Sequence, residues 1–351
     1  MVKRRGQEKT KRSGRMGLVV KVKFKDAEKV LKYLKEKDLL DTNFKMEKEK
    51  GFLLIPVVKE LKKYKTIERK LEKFKKEKTV VEMLKGKLSS DELNLLPRTF
   101  EEVGDILVLE LDRSLEGKKK IIGEVFLKRY KQVKTVLKKK VEHSGEYRLR
   151  KLEWLAGEKK RETLYKENGV VLKVNLEKVY FSSKSSGERL RIAQLVKPGE
   201  EVLVMFSGLA PFPLVIARNS FVKEVVGVEL NPAGHKLGEE NVKLNKLWGR
   251  VKLFQGDVRK VVPKLGRKFD RIVMPLPKTG EKFLDVALKA VRKGGMVHLY
   301  GFLGEENFIS DKKKVLDICK KLGKKCKVVD FRRCGAFAPG VFRVVYDLKI
   351  E

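Results

Sequence analysis

The chain has 351 residues, 42% apolar and 37% charged, with 84 Lys and Arg against 47 Asp and Glu and a formal net charge of +37. That length holds about two or three domains with a sizeable core, and no stretch approaches the roughly 18–20 apolar residues of a membrane-spanning helix, so no membrane partner is expected. A heavily solvated, thermophile-type surface accounts for many charges of both signs but not for their imbalance; nucleic acid, whose phosphates release counterions when neutralised, does account for it.

In chain order, residues 1–16 read as a disordered basic arm that leads into no signal-peptide core. Residues 17–60 form a small α/β module: a strand at 18–24, a helix capped by Asp26 with apolar positions at Val30, Leu31 and Leu34, and a strand at 52–58. The Lys/Glu-rich stretch 61–90 reads as an exposed helical connector. A middle domain over 91–176 carries a strand at 106–111, a basic helix near 117–135, and extended segments around 147–152 and 170–176. Its lysine runs at 118–120, 138–140 and 159–160 suit a solvated face singly and an RNA-facing surface together. The last block, 177–351, alternates strands (201–206, 224–229, 251–255, 270–274, 296–302) with helices (211–218, 233–245, 258–264, 281–292, 311–322). It closes on two strands around Pro339–Gly340. That alternation predicts an open, mostly parallel α/β sheet with a closing hairpin.

In such a sheet a ligand sits at the carboxyl ends of the strands. The first strand of the block runs into Phe206-Ser207-Gly208-Leu209-Ala210-Pro211-Phe212. A single glycine there permits close backbone approach, the absence of GxGxxG disfavours a nicotinamide cofactor, and a plain strand-to-helix turn fits equally. The second strand ends at Glu229-Leu230, where a carboxylate accepts from a ribose diol or caps the next helix. The third ends at Asp257-Val258, where a carboxylate accepts from an adenine amino group beside a packing Val, or again serves as a cap. Three such features in register suit an adenosine-bearing cofactor. The fourth strand ends in Met274-Pro275-Leu276-Pro277-Lys278, a rigid extended loop where a target base would meet the cofactor. No metal cluster or nucleophile triad is visible, and His143, His235 and His298 read as structural or surface residues. Cys319, Cys326 and Cys334 are odd in number and not in CxxC spacing, so a reducing cytoplasm is expected. A disulfide between two of them stays open for a hyperthermophilic source.

The sequence resembles the archaeal and eukaryotic tRNA methyltransferases that modify N1 of guanosine 37, over about residues 18–350. The segments that carry the likeness are Gly145-Glu146-Tyr147-Arg148-Leu149-Arg150, Leu155-Ala156-Gly157-Glu158, Lys166-Glu167-Asn168-Gly169, Lys178-Val179-Tyr180-Phe181-Ser182 and Gly187-Glu188-Arg189. Pro211-Phe212, Asn231-Pro232, Gly256-Asp257-Val258-Arg259 and Leu276-Pro277-Lys278 continue it in order. The resemblance implies a class I, Rossmann-like methyltransferase sheet behind two smaller α/β or α+β domains. It also implies S-adenosylmethionine as cofactor, and tRNA, with tRNA-Phe expected, contacted at elbow and anticodon loop by a monomer. It makes Glu188 the general base for the N1 proton and Arg148 the stabiliser of charge on O6. Tyr180, Arg189, the 206–212 loop, Glu229, Leu230, Asp257, Val258 and Pro275 would hold the cofactor. A surface ion pair is the plain alternative for Glu188 and Arg148.

Three positions depart from the family. Val204 stands where relatives usually have an acidic residue, Ala210 where they usually have Gly, and Pro275 where an Asn opens the Asn-Leu-Pro or Asn-Pro-Pro motif. Pro offers a base neither the donor nor the acceptor of Asn. A less polar pocket suits a larger, flatter base, as in the archaeal branch that also methylates carbon 7 of the tricyclic wyosine precursor, and the chain is expected to belong to that branch. Two other readings stay open. One is aminocarboxypropyl transfer from the same cofactor, against which Gly187-Glu188-Arg189 argues; the other is a tRNA-binding protein without catalysis.

Overall fold

The structure, a computed structural model, describes residues 14–73, 77–145 and 147–351, with the backbone alone over 141–144. Most of the expected basic arm, the side chain of His143, and Glu146 lie outside the described residues. The chain divides into one unit up to Thr79 and another from Val80 to Glu351.

The first unit is an antiparallel sheet with one helix. β1 (Gly14–Lys23), α1 (Ala27–Glu36), β2 (Glu47–Glu49), β3 (Phe52–Val57) and β4 (Thr66–Glu72) give the strand order β2-β3-β1-β4. Val20 and Val22 of β1 meet Val30 and Leu34 of α1 on one face, while Val19 packs with Leu54 and Leu71 on the other, as the two-residue period of a strand requires. Three expectations change here. β1 begins inside the stretch assigned to the arm. Asp26 occupies the cap position of α1, yet its side chain caps nothing, because its own backbone is already helical rather than extended. The connector is not helical over 66–72: Ile67 and Leu71 alternate with charged residues, so β4 pairs with β1 as an edge strand whose lysine, arginine and two glutamates discourage further pairing.

In the second unit, α2 (Val80–Leu84) and α3 (Ser90–Asn94) precede β5 (Glu101–Val103) and β6 (Ile106–Leu109). Ser89 and Glu92 form a reciprocal capping box at α3. α4 (Lys119–Arg129) buries Ile122, Val125 and Phe126 and crosses to β7 (Thr135–Ser144), which lies parallel to β6. The helix stops at Tyr130, short of the expected 135, because the next β-branched pair, Thr135-Val136, joins the sheet. β8 (Leu149–Gly157) completes the order β5-β6-β7-β8. A hairpin of β9 (Glu162–Glu167) and β10 (Val170–Asn175) follows, then α5 (Ser186–Leu195).

The remaining elements are β11 (Glu201–Met205), α6 (Pro211–Asn219), β12 (Glu224–Glu229), α7 (Pro232–Leu244), β13 (Val251–Gln255), α8 (Val258–Lys264), β14 (Phe269–Met274), α9 (Leu284–Ala290), β15 (Val291–Gly304), α10 (Phe308–Lys321), β16 (Cys326–Ala338) and β17 (Val341–Ile350). They build one sheet of order β13-β12-β11-β14-β15-β17-β16, parallel through β15 and antiparallel at β17 and β16. β11 lies inside the sheet, between β12 and β14, and is buried along its whole length. Val202 and Val204 join the core on one face, Leu203 and Met205 the core on the other. The helix expected at 281–292 is shorter, since Val291 already pairs with Phe269 as the start of β15. Among the described residues, no helix is long and apolar enough to cross a membrane.

Two asparagines bind the β9–β10 hairpin to the sheet. Asn241 Oδ1 accepts from Lys173 N at 2.6 Å and its Nδ2 donates to Lys173 O at 3.1 Å. Asn245, one turn on, does the same with Val171 N (2.8 Å) and Val171 O (2.6 Å). Spaced at i and i+4 on α7, the two amides copy a neighbouring strand along the free edge of β10.

Candidate active site

The carboxyl ends of β11, β12 and β14 open into a cleft of about 500 Å³, within the range of small-ligand pockets. One wall is main chain. After β11 the chain takes left-handed φ values at Phe206 (60°), Gly208 (57°) and Ala210 (68°). For Phe206 and Ala210 that conformation costs about 1 kcal/mol each, and for Gly208 nothing. The turn then enters α6 through Pro211 at its first position.

Glu229, at the tip of β12, holds that turn. Its Oε2 accepts from Gly208 N at 2.6 Å and its Oε1 from Asn231 N at 2.8 Å. Burial raises the proton affinity of the carboxyl above its ordinary value, against the backbone N–H groups of Asn231, Gly208 and Leu230, which lower it. Three N–H groups against about four lone-pair sites leave the carboxylate able to accept one further hydrogen bond, from a ligand hydroxyl. Asn231 caps α7 through Ala233 N (3.0 Å) and donates Nδ2 to Lys178 O (2.8 Å), which brings the stretch up to Tyr180 to the cleft. Phe206 meets the edge of Phe283 at 4.9 Å, with Arg259 3.9 Å over the Phe283 ring. Pro275, Leu276 and Pro277 add an apolar border.

The other wall is made of side chains. Arg148 sits at φ 51° on the turn between β7 and β8, its guanidinium 4.6 Å from the centroid of Tyr180, and its buried Nε has no hydrogen-bond partner among the described residues. Glu188, in the first turn of α5, is nearly buried and is held from two directions. Arg191 Nε lies 2.9 Å from Glu188 Oε2 and Arg191 Nη2 2.8 Å from Oε1, while Tyr300 OH donates to Oε1 at 2.6 Å. Burial and the adjoining carboxylate push the Tyr300 phenol well above its ordinary pKa, so it stays a donor.

Most residues assigned from the sequence border this cleft: Arg148, Tyr180, Glu188, Arg189, Phe206, Ser207, Gly208, Pro211, Phe212, Glu229, Leu230 and Pro275. Four do not. Asp257 is spent as the cap of α8, accepting from Arg259 N at 2.8 Å, and Val258 lies in the core. Leu209 and Ala210 are fully buried beneath the turn. Phe206, Leu230 and Phe283 border the cleft in their place. Arg189 borders it too, but its Nε and Nη2 each lie 2.6 Å from a Glu167 oxygen, so it braces α5 against β9 instead of offering a free fork.

Tyr300, Phe283 and Arg343 border the cleft and were not singled out from the sequence, while Asn231 entered only as part of the Asn231-Pro232 segment, with no role given to it. A signal existed for Arg191: Glu188 and Arg191 stand three apart, neighbours on any helix. Tyr300 carried none, because its contact spans 112 residues. Val204, one of the three positions expected to depart from the family, is fully buried in the core. Among the described residues, no group of three or more His, Cys, Asp or Glu side chains is placed to hold a metal.

A seven-stranded sheet of this order, with a nucleoside-sized cleft at its strand ends and a carboxylate at the tip of β12, defines a class I methyltransferase with S-adenosylmethionine as its cofactor. The backbone turn at Gly208, the remaining acceptor site of Glu229 and the aromatic border fit the nucleoside part of that cofactor. Within the class, a profile described as the TRM5/TYW2 methyltransferase domain matches residues 163–329, a TYW2 N-terminal domain 80–160, and a tRNA methyltransferase 5 N-terminal domain 20–65. The tRNA (guanine(37)-N(1))-methyltransferase Trm5b of Pyrococcus abyssi is 34% identical, covering 96% of this chain and all of its own. The bifunctional tRNA (guanine(37)-N(1))/4-demethylwyosine(37)-methyltransferase Taw22 of Nanoarchaeum equitans is 31% identical over 72% of this chain and 99% of its own. The crystal structure of the Pyrococcus abyssi Trm5b superposes with a TM-score of 0.74, at 34% identity over 95% of this chain and 99% of that one. A complex of aTrm5 with tRNALeu gives 0.68, at 30% identity over 95% and 100%. The Methanocaldococcus jannaschii Trm5 bound to adenosine gives 0.64, at 29% identity over 95% and 99%. The chain belongs to the TRM5/TYW2 family of tRNA methyltransferases.

Proposed function

We propose that this protein methylates N1 of guanosine 37 in tRNA, tRNA-Phe among its substrates, as a cytoplasmic monomer. The observation that carries the reading is a single cleft that unites Glu188, Arg148, Glu229 and the 206–208 turn from four separate segments. Guanine N1 is protonated at neutral pH and is a poor nucleophile until that proton leaves. Glu188 takes the proton, which frees the N1 lone pair. Arg148 faces the negative charge that then builds on O6, held in place by its stack on Tyr180. When bound, the cofactor supplies an electrophilic methyl group. The base leaves the anticodon stack to reach the cleft, and in this reading the N-terminal unit, matched over 20–65 by a tRNA methyltransferase 5 N-terminal domain, contacts the tRNA elbow. Coverage favours this reading over aminocarboxypropyl transfer: the Trm5b relative aligns over 96% of the chain, the Pyrococcus horikoshii aminocarboxypropyltransferase over 77%.

One observation favours a second activity on the same site. Pro275, Leu276 and Pro277 border the cleft as apolar groups, a surface suited to the flat tricyclic wyosine precursor, whose carbon 7 would take the methyl. Mass spectrometry of nucleosides tests both readings at once, with the protein, S-adenosylmethionine, and two forms of tRNA-Phe carrying guanosine or the tricycle at position 37. Methyl on guanosine alone removes the second activity, and methyl on neither removes both.

A further inference from the structure

The ion pair of Glu188 and Arg191 is the first link of a longer buried chain. Arg191 Nη1 lies 2.7 Å from Asp347 Oδ2, so one guanidinium bridges two carboxylates. Asp347 Oδ1 lies 2.6 Å from His298 Nδ1, and His298 Nε2 lies 2.7 Å from Arg271 Nη1. Arg271 is anchored in turn by Glu200 at 2.8 Å and by the carbonyl of Leu195 at 2.7 Å. An arginine N–H only donates, so His298 Nε2 must accept and the ring proton sits on Nδ1, donated to Asp347. His298 is therefore neutral, and Asp347 is a carboxylate whose nearest cation is shared with Glu188. The register supports this, since His298 and Tyr300 stand two apart on one face of β15, with Asp347 directly opposite His298 on β17.

We propose that Asp347, fixed by His298, is a positioning residue for the candidate base: it holds Arg191 in the bridge and takes up part of its charge, leaving Glu188 a stronger base than a lone Glu–Arg pair would be. The proposal rests on the reading of Glu188 as the base. A carboxylate fully neutralised by one arginine is held well but accepts protons poorly. Shared between two carboxylates, the same arginine fixes the geometry at a smaller loss of basicity. The other charged or titratable groups around Glu188 leave this role unfilled. Tyr300 donates to it from β15, and the Cys334 thiol on β16 is pushed up to about 12 by burial and by Glu188 itself, so it carries no charge. Arg343 of β17 is turned to the Ser185 hydroxyl, and Arg148 to Tyr180.

The test is the pH profile of single-turnover methyl transfer for wild type, Asp347→Asn and Glu188→Gln, with cofactor and tRNA affinities measured beside it. Asp347→Asn leaves Arg191 to Glu188 alone. The acid limb should move to lower pH and the plateau rate fall by about tenfold, with both affinities unchanged. Packing damage would lower the rate without that downward shift. If Asp347→Asn does not fold, as circular dichroism would report, Asp347→Glu keeps the charge but displaces it, and the rate should fall with the limb in place. An unchanged rate and limb in whichever variant folds, while Glu188→Gln is inactive, overturns the positioning role alone. Wild-type activity in Glu188→Gln overturns the reading of the base, and this proposal with it.

Discussion

The two walls of the cleft are built from different materials. On the cofactor side, the groups that face a ligand are placed by main-chain turns at the ends of β11 and β12, and Glu229 ties the turns together through their own N–H groups. On the base side, Glu188 is placed by side chains reaching from β15 and β17, through contacts 112 and 156 residues apart in sequence. A wall of backbone draws its geometry from the sheet and tolerates changes in the side chains around it. A wall of buried charges holds only while every charge keeps its partner, which makes it sensitive to single substitutions and to pH.

The largest effect expected from breaking this contrast is at the base. Glu188→Gln should lower single-turnover methyl transfer by about 10²–10⁴-fold, the usual worth of a general base, with cofactor affinity by isothermal titration unchanged. Such a split between rate and binding would show that the side-chain wall serves the reaction and the backbone wall the cofactor. Glu229→Ala attacks the other wall by leaving Gly208 N and Asn231 N without their acceptor. Cofactor binding should weaken by about 1–3 kcal/mol, roughly 5- to 150-fold. Retained affinity would mean that the turns need no carboxylate.

The pH sensitivity of the side-chain wall can be read from His298. Burial lowers its proton affinity below the ordinary imidazole value of 6.5. The unfolded chain therefore binds a proton that the folded chain refuses. This contribution to stability is fully present above about pH 6.5 and falls as the pH drops, by up to about 1.4 kcal/mol per pH unit. Urea unfolding at about pH 5 and about pH 7 should show a smaller difference for His298→Asn than for wild type; an equal difference would place the acid sensitivity elsewhere. The smallest effect is expected at Pro275. Pro275→Asn should shift the ratio of guanosine to wyosine-precursor methylation about fivefold toward guanosine, by returning a donor and an acceptor worth about 1 kcal/mol. An unchanged ratio would leave the departure at Pro275 without a role.

The contrast also explains what the sequence could tell. Strand ends are local features: apolar runs such as EVLVM and EVVGVE locate the main-chain wall, and Glu229 and Gly208 fall out of it by position. Asp257 and Val258 occupy an equivalent strand end, yet local spacing left the cap and the cofactor readings of Asp257 level and did not place Val258 in the core. α5 has no clean apolar stripe, because Arg189 is buried alongside Ile192 and Ala193, so periodicity gave no sign of the helix that carries the candidate base. Resemblance, not pattern, singled out Glu188. The chain behind it, through Asp347 and His298, depends on register between strands that lie far apart in sequence, which no local window contains.

The asparagine pair on α7 has a kinetic consequence. The amide hydrogens of Val171 and Lys173 are held by side chains of a helix, not by a neighbouring strand, and the same Asn241 amide also donates to Leu209 O in the turn below the cleft. Exchange of those two amides with deuterated solvent therefore depends on a local event, release of the hairpin edge from α7, and not on opening of the central sheet. A ligand that stiffens the 206–210 turn should slow exchange of the Lys173 amide through the shared Asn241, which would make that backbone proton a built-in reporter of cofactor occupancy.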